Sequence, residues 1–133
     1  MQKSVIEPHP NADLSVAVVW SDWWPGDSES TAARSATLIG HGDARVKHFY
    51  EPKRLLGKEV SRSIGWEDPD ADANAAWDIY LFYPAGARWE SNIPAPEQVM
   101  HQLSSHTDEP SFRTGDSLVE GLRDAASKAV TRG

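Results

Sequence analysis

The sequence predicts an α/β domain on the strength of three observations. A short apolar run, Val16 to Trp20, has the composition of a buried strand and is followed by a turn at Pro25 and Gly26. The run W-D-I-Y-L-F-Y, Trp77 to Tyr83, is rich in residues that favour strands. Apolar residues near the carboxyl end recur at helical spacing: Leu118, Val119, Leu122, Ala125, Ala126 and Ala129. Alternation of strand and helix patterns is typical of α/β proteins.

Composition and charge limit the class of protein. A length of 133 residues fits one domain, residues 1–133, and 39% hydrophobic with 25% charged residues suits a soluble globular chain. The net charge of -7 argues against nucleic acid and against anionic membranes as partners. No apolar run approaches the roughly 20 residues that span a bilayer. With no apolar signal segment in the first residues, we expect a cytoplasmic protein.

The first half of the chain divides into three predicted elements. Residues 1–14, with two prolines, are expected to form an extended arm with a short edge strand at Ser4–Ile6. The first strand is predicted over Val16–Ser21. A helix is predicted over Ser28–Ile39, because Ser28 is a favourable cap and Gly40 is a suitable stop.

The middle of the chain predicts a second strand, a second helix and a central third strand. Arg45–Tyr50 alternates as a strand does, and Pro52 opens a helix that ends at Gly65. The acidic stretch Trp66–Ala75 is expected to be a loop. Because Trp77–Tyr83 is apolar on both faces apart from Asp78, we expect it in the centre of a sheet.

The last third predicts a hairpin and two helices. A tight turn at Pro84–Ala87 leads into a short strand at Arg88–Glu90. Residues 104–113 are expected to connect two helices, the second of which begins at Thr114–Asp116. The first of these helices is predicted to bury Val99, Met100 and Leu103.

The predicted order β-α-β-α-β-β-α, with a further helix, resembles the thioredoxin-like fold from about Val16 to Val130. The segment V-V-W-S-D-W-W-P-G-D is similar to the strand-to-helix segment that carries C-x-x-C in that family. The segment D-I-Y-L-F-Y-P-A-G-A-R-W is similar to its third strand, glycine turn and fourth strand. Residues 46–66 are similar to the preceding strand and helix of peroxiredoxin-like members. The resemblance implies a three-layer sandwich around a central mixed sheet.

The sequence departs from that family at the residues that carry its chemistry. Trp24 and Asp27 stand at the two cysteine positions, and Ala76 or Trp77 stands where the family has its cis-proline. The chain has no cysteine. Thiol–disulfide exchange and peroxidase chemistry both need a thiolate, so both activities are excluded.

Tryptophans gather at one end of the predicted sheet. Trp23, Trp24, Trp66 and Trp77 all fall near the end where thioredoxin-like proteins hold their partners, together with Asp27. We expect a redox-inactive, non-catalytic module that binds a protein, a peptide or a small apolar ligand there. Alternatively, these rings fill a core in which the first helix offers only alanines. Self-association stays open in either case.

A second hypothesis is a cysteine-free enzyme that uses carboxylates and a histidine at the same end of the sheet. Asp22, Asp27, Asp78 and His48 are the candidates for acid–base work. Asp27 is also an obvious helix cap, and Asp78 can pair with a backbone donor or a basic neighbour, so structural roles are the simpler explanation for these two residues.

The remaining candidate ligand residues predict neither a metal nor a cofactor. His101 and His106 are five residues apart, so they do not share one face of a helix. The acidic stretch Glu67–Asp72 lacks the glycine and the distal glutamate of a calcium loop. No nucleotide-binding or zinc-binding motif occurs in the chain.

Overall fold

Four strands form two separate two-stranded sheets in the computed structural model, which describes residues 1–131. β1 (Val16–Trp20) and β2 (Val46–Tyr50) run parallel, whereas β3 (Ile79–Phe82) and β4 (Gln98–His101) run antiparallel. Three α-helices and an amino-terminal helical turn accompany them: α1 (Glu29–Ala36), α2 (Leu55–Ser63), α3 (Gly115–Thr131) and Gln2–Ile6. The protein is therefore mixed α/β, as the sequence predicts.

The β1–α1–β2 unit agrees closely with the sequence prediction. Its register places the last residues of both strands, Trp20 and Tyr50, side by side. The side chain of Ser28 accepts the Thr31 N–H, and the Thr31 hydroxyl oxygen accepts the Ser28 N–H, which makes a capping box at the start of α1. The helix ends at Ala36 rather than at Ile39, and turns follow it.

The predicted central strand lies in a different sheet from the one expected. Within residues 1–131, β3 pairs with β4 alone, so the expected mixed sheet is instead two small sheets. The strand also begins two residues later than predicted. Asp78 adopts a left-handed conformation with φ of 47°, and this conformation separates Trp77 from the extended run.

Two predictions for the last third of the chain are wrong. Residues 98–101 form a strand, although Val99 and Met100 were expected on a helix. Residues 88–90 are exposed and outside any strand. A four-residue segment such as Q-V-M-H is too short for its periodicity to distinguish helix from strand, and here backbone pairing with β3 decides the outcome.

The amino-terminal segment is not the extended arm that the sequence suggests. Residues 2–6 form a helical turn that packs against α3, and Ser4, Val5 and Ile6 are buried. Val5 and Ile6 favour extended structure by propensity, but burial of their side chains overrides that preference.

The longest helix, α3, organises the main core. Its buried stripe is Leu118, Leu122, Ala125 and Ala126, and these residues pack with Val5 and Met100. The two alanines are fully buried, so neighbouring elements approach the helix closely. None of the helices described in residues 1–131 is long and apolar enough to cross a membrane.

A close contact fixes α2 against the segment before β3. A Cβ built on Gly57 would lie 2.6 Å from the carbonyl oxygen of Ala76, which is a backbone atom. Beside it, the buried Ser61 hydroxyl lies 2.9 Å from the Gly57 carbonyl oxygen and 2.6 Å from that of Asn74. The absence of a side chain at Gly57 therefore sets the position of the chain that leads to Trp77.

Substituting Gly57→Ala is expected to destabilise the protein by about 1–3 kcal/mol, because the added methyl forces the backbone at Ala76 to move. This loss opposes the gain of roughly 1 kcal/mol that alanine normally brings to a helix. Urea denaturation followed by circular dichroism measures the free energy of unfolding.

The matched control is Gly121→Ala in α3, where the added Cβ meets only the flexible Met100 thioether. We expect this variant to lose less stability than Gly57→Ala. Equal stability of the two variants would contradict the importance of the Gly57 contact.

Candidate functional site

The loop that follows β1 is held by one carboxylate. Asp27 accepts the backbone N–H groups of Trp23 and Trp24, each at 2.7 Å, through the same Oδ2 atom. The Asp27 N–H in turn donates to the Trp24 carbonyl oxygen at 3.0 Å. Gly26 supplies the positive φ of 103° that the turn requires. Asp27 therefore organises the tryptophan loop, and the predicted cap Ser28 starts the helix.

Three of the predicted site residues, Trp23, Trp24 and Trp77, form what we call the tryptophan cluster. The Trp23 ring stacks on Trp77 with centroids 5.6 Å apart, and Trp24 meets Trp77 edge-on at 5.9 Å. Trp24 is 65% exposed, whereas Trp23 and Trp77 are partly buried. The cluster thus combines a packed base with one large, exposed ring.

Arg54 borders the cluster from the start of α2. Its guanidinium carbon lies 4.6 Å from the centroid of the Trp23 ring, in cation–π geometry. Its Nε–H donates to the Asp22 carbonyl oxygen at 2.8 Å. No sequence pattern indicates this contact, because Arg54 and Asp22 are 32 residues apart along the chain.

A polar cavity of about 150 Å³ lies at the carboxyl end of the parallel sheet, between the tryptophan loop and α1. Residues at such an edge are well placed to bind ligands in α/β proteins. The Tyr50 hydroxyl donates to the Asp22 carboxylate at 2.8 Å, and this bond raises the pKa of Tyr50. The residues that line this cavity include Ser21, Asp22, Asp27, Thr31, Ser35 and Tyr50.

The four candidate acid–base residues do not lie in one site. Asp22 and Asp27 both line the cavity, whereas His48 and Asp78 do not. His48 accepts the Trp20 indole N–H at Nδ1, so its Nε2 carries the proton that is donated to the Ile39 carbonyl oxygen.

The Asp78 carboxylate has a partner of its own, the Gln102 amide at 3.1 Å. In the described residues no group of three or more histidine or acidic side chains is arranged to hold a metal ion. The cavity therefore brings together two carboxylates and several hydroxyls, without the imidazole that the enzyme hypothesis includes.

Trp66 lies in a different cluster from the other predicted tryptophans. Its ring stacks on His106 with centroids 4.0 Å apart, and its indole N–H donates to Glu109 at 3.0 Å. The fully buried His101 meets the same Trp66 ring edge-on at 5.5 Å. Trp66 therefore joins the last third of the chain to the end of α2.

His101 is a buried polar residue that sequence reasoning missed. Its Nδ1 accepts the Leu103 N–H at 3.3 Å, so Nε2 carries the proton that is donated to Glu109, also at 3.3 Å. On a helix, the spacing of five residues would not place His101 and His106 on one face. Instead, a strand end and a short helical turn bring the two rings within 6.1 Å.

Because the backbone N–H groups of Trp24 and Trp23 lower the pKa of Asp27, the charged carboxylate stabilises the folded loop. This contribution is complete above the ordinary aspartate pKa of 3.8 and is lost as the pH falls through the lower pKa of the folded state. Asp27→Ala is therefore expected to unfold more readily than the wild type near neutral pH.

The difference in unfolding free energy between these two proteins should shrink as the pH falls below 3.8. Urea titrations at several pH values measure it, and Asp108→Ala is a control on an exposed carboxylate outside the loop. A difference that does not vary with pH would mean that the Asp27 charge is not what holds the loop.

No known protein-family model matches this chain, and no curated protein and no solved structure is similar to it.

Proposed function

We propose that this chain is a non-catalytic binding or interaction module, and that the tryptophan cluster is its contact surface. The observation that carries the proposal is the exposure of Trp24, which is 65% exposed although its backbone N–H is bonded to Asp27 and its ring contacts Trp77. A large aromatic ring that is fixed before binding loses little conformational entropy when a partner covers it. Such rings are frequent hot spots of protein interfaces.

The chemistry of the surface favours an apolar or aromatic group in the partner. Trp24 presents a large apolar area, and Trp77 presents its ring beside it. Arg54, which lies over Trp23, adds a cation that can orient a carbonyl or carboxylate of the same partner. A peptide or a protein loop with an apolar side chain offers both features, and a small apolar ligand offers the first.

A thioredoxin-like scaffold without redox chemistry is part of the proposal. It is supported by the parallel β1–α1–β2 unit and by the position of the tryptophan loop directly after β1. The pairing of β3 with β4 in a sheet of their own differs from what that scaffold leads us to expect. The proposal for the tryptophan cluster depends on the β1–α1–β2 unit and Trp77, and not on the arrangement of β3 and β4.

The alternative of a cysteine-free enzyme rests on Asp22 and Asp27, which line one cavity. Both carboxylates already accept hydrogen bonds, from Tyr50 and from the tryptophan loop respectively. Since His48 uses both ring nitrogens in other contacts, the cavity lacks a ready proton carrier. We therefore favour the binding module.

Trp24→Ala is expected to weaken binding about 30-fold, which corresponds to roughly 2 kcal/mol for the loss of an aromatic hot spot. The probes are a set of aromatic and aliphatic fragments together with short peptides that carry the same groups. Thermal-shift screening identifies the probes that stabilise the wild type, and isothermal titration gives their dissociation constants.

Trp89→Ala is the matched control, because Trp89 is also an exposed tryptophan, at 45%, but packs on Tyr83 outside the cluster. It should bind the probes as the wild type does. Equal weakening by both substitutions, or unfolding of the Trp24→Ala protein, would contradict a docking role for Trp24.

A further inference from the structure

One edge of β4 presents backbone groups without a backbone partner. Gln102 donates to the Asp78 carbonyl oxygen, so alternate residues from there, Met100 and Gln98, direct their backbone groups toward β3. The backbone groups of His101 point the opposite way, away from β3. Its N–H donates to Ser111 at 3.1 Å, and its carbonyl oxygen accepts the Arg113 N–H at 2.9 Å.

Val99 has the same phase as His101, so its N–H and C=O point away from β3. In the described part of the chain neither group has a backbone partner. The segment that pairs with His101 is redirected just before Ser111, at Pro110, which has no N–H to continue a ladder. The free backbone groups of Val99 therefore lie on the same edge of β4 as His101, which already pairs with the segment around Phe112.

A groove of about 450 Å³ runs along this edge. β4 forms one wall and α3 forms the other, with Pro110 and Arg113 at one end. Gly121 belongs to the helical wall, and its lack of a side chain brings α3 close to Met100 at the base. The lining includes Val99, Pro110, Arg113, Gly121, Asp124 and Lys128.

The groove is more basic than the protein as a whole. The chain has 13 basic and 20 acidic residues, but the groove has two basic side chains, Arg113 and Lys128, against one acidic side chain, Asp124. Arg113 is held by the carbonyl oxygens of Pro110 and Phe112, so its charge has a fixed position. An occupant with a carboxylate meets a lining with more basic than acidic side chains here, although the chain as a whole has a net charge of -7.

We propose that this groove binds an extended, carboxylate-bearing segment of another protein by strand addition to β4. The segment exchanges two backbone hydrogen bonds with Val99, and its alternate side chains lie over Gly121 and Met100. A carboxylate side chain of the segment lies toward Arg113 and Lys128. This site is separate from the tryptophan cluster, so its occupant does not depend on the function proposed above.

The test uses the full chain and a phage-displayed library of random eight-residue peptides. Selected peptides are expected to be rich in Asp or Glu and in residues that favour strands. Hydrogen exchange measured by NMR should show the Val99 N–H exchanging about tenfold more slowly when a selected peptide is saturating, because the amide gains an acceptor.

Lys128→Glu is expected to weaken binding of the selected peptides about fivefold, because it reverses one of the two positive charges. Arg123→Glu is the matched control, since it makes the same charge change on an exposed position of α3 outside the groove. At about 0.15 M salt the control should change affinity much less, because screening confines the effect to roughly 8 Å.

Four results would overturn the proposal. These are a library that yields no peptide above background, selected peptides rich in lysine, and Val99 exchange that is unchanged at saturation. The fourth is slowing of Val99 exchange with protein concentration alone, which would identify a second copy of this chain as the occupant of the edge.

Discussion

The packing of α3 against the amino-terminal turn and β4 holds this structure together. Its stripe of leucines and alanines covers the amino-terminal turn at Val5 and the side of β4 at Met100. Two fully buried alanines, Ala125 and Ala126, allow that closeness, because a larger side chain would separate the helix from both neighbours. The position of β4 is set by this packing, and the positions of His101 and of the strand-edge groove follow from it.

The parallel β1–β2 sheet depends on local interactions to a greater degree. A capping box starts α1, and one carboxylate of Asp27 holds the loop between β1 and that helix. The capping box and the Asp27 contacts join residues that are at most four positions apart, so they do not depend on distant parts of the chain. Trp24 lies on this loop and is exposed, so the Asp27 contacts fix the backbone that carries an exposed ring.

Two groups of polar contacts join segments that lie far apart along the chain. Trp66 donates to Glu109, which also accepts from the buried His101. On the other side, Arg54 links α2 to the tryptophan loop through the Asp22 carbonyl oxygen and the Trp23 ring. These long-range contacts give polar side chains such as the buried His101 a hydrogen-bond partner. Aromatic and charged side chains therefore help the aliphatic core to hold distant segments together.

The sequence by itself determined the α/β class and the elements β1, α1, β2, α2 and α3. Those features follow from periodicity, caps and turn residues, which act between near neighbours. Only the tertiary structure decided that β4 is a strand, that the amino-terminal segment is helical and that Trp66 lies with the histidines. Each of these depends on partners far along the chain, and sequence patterns do not encode such partners.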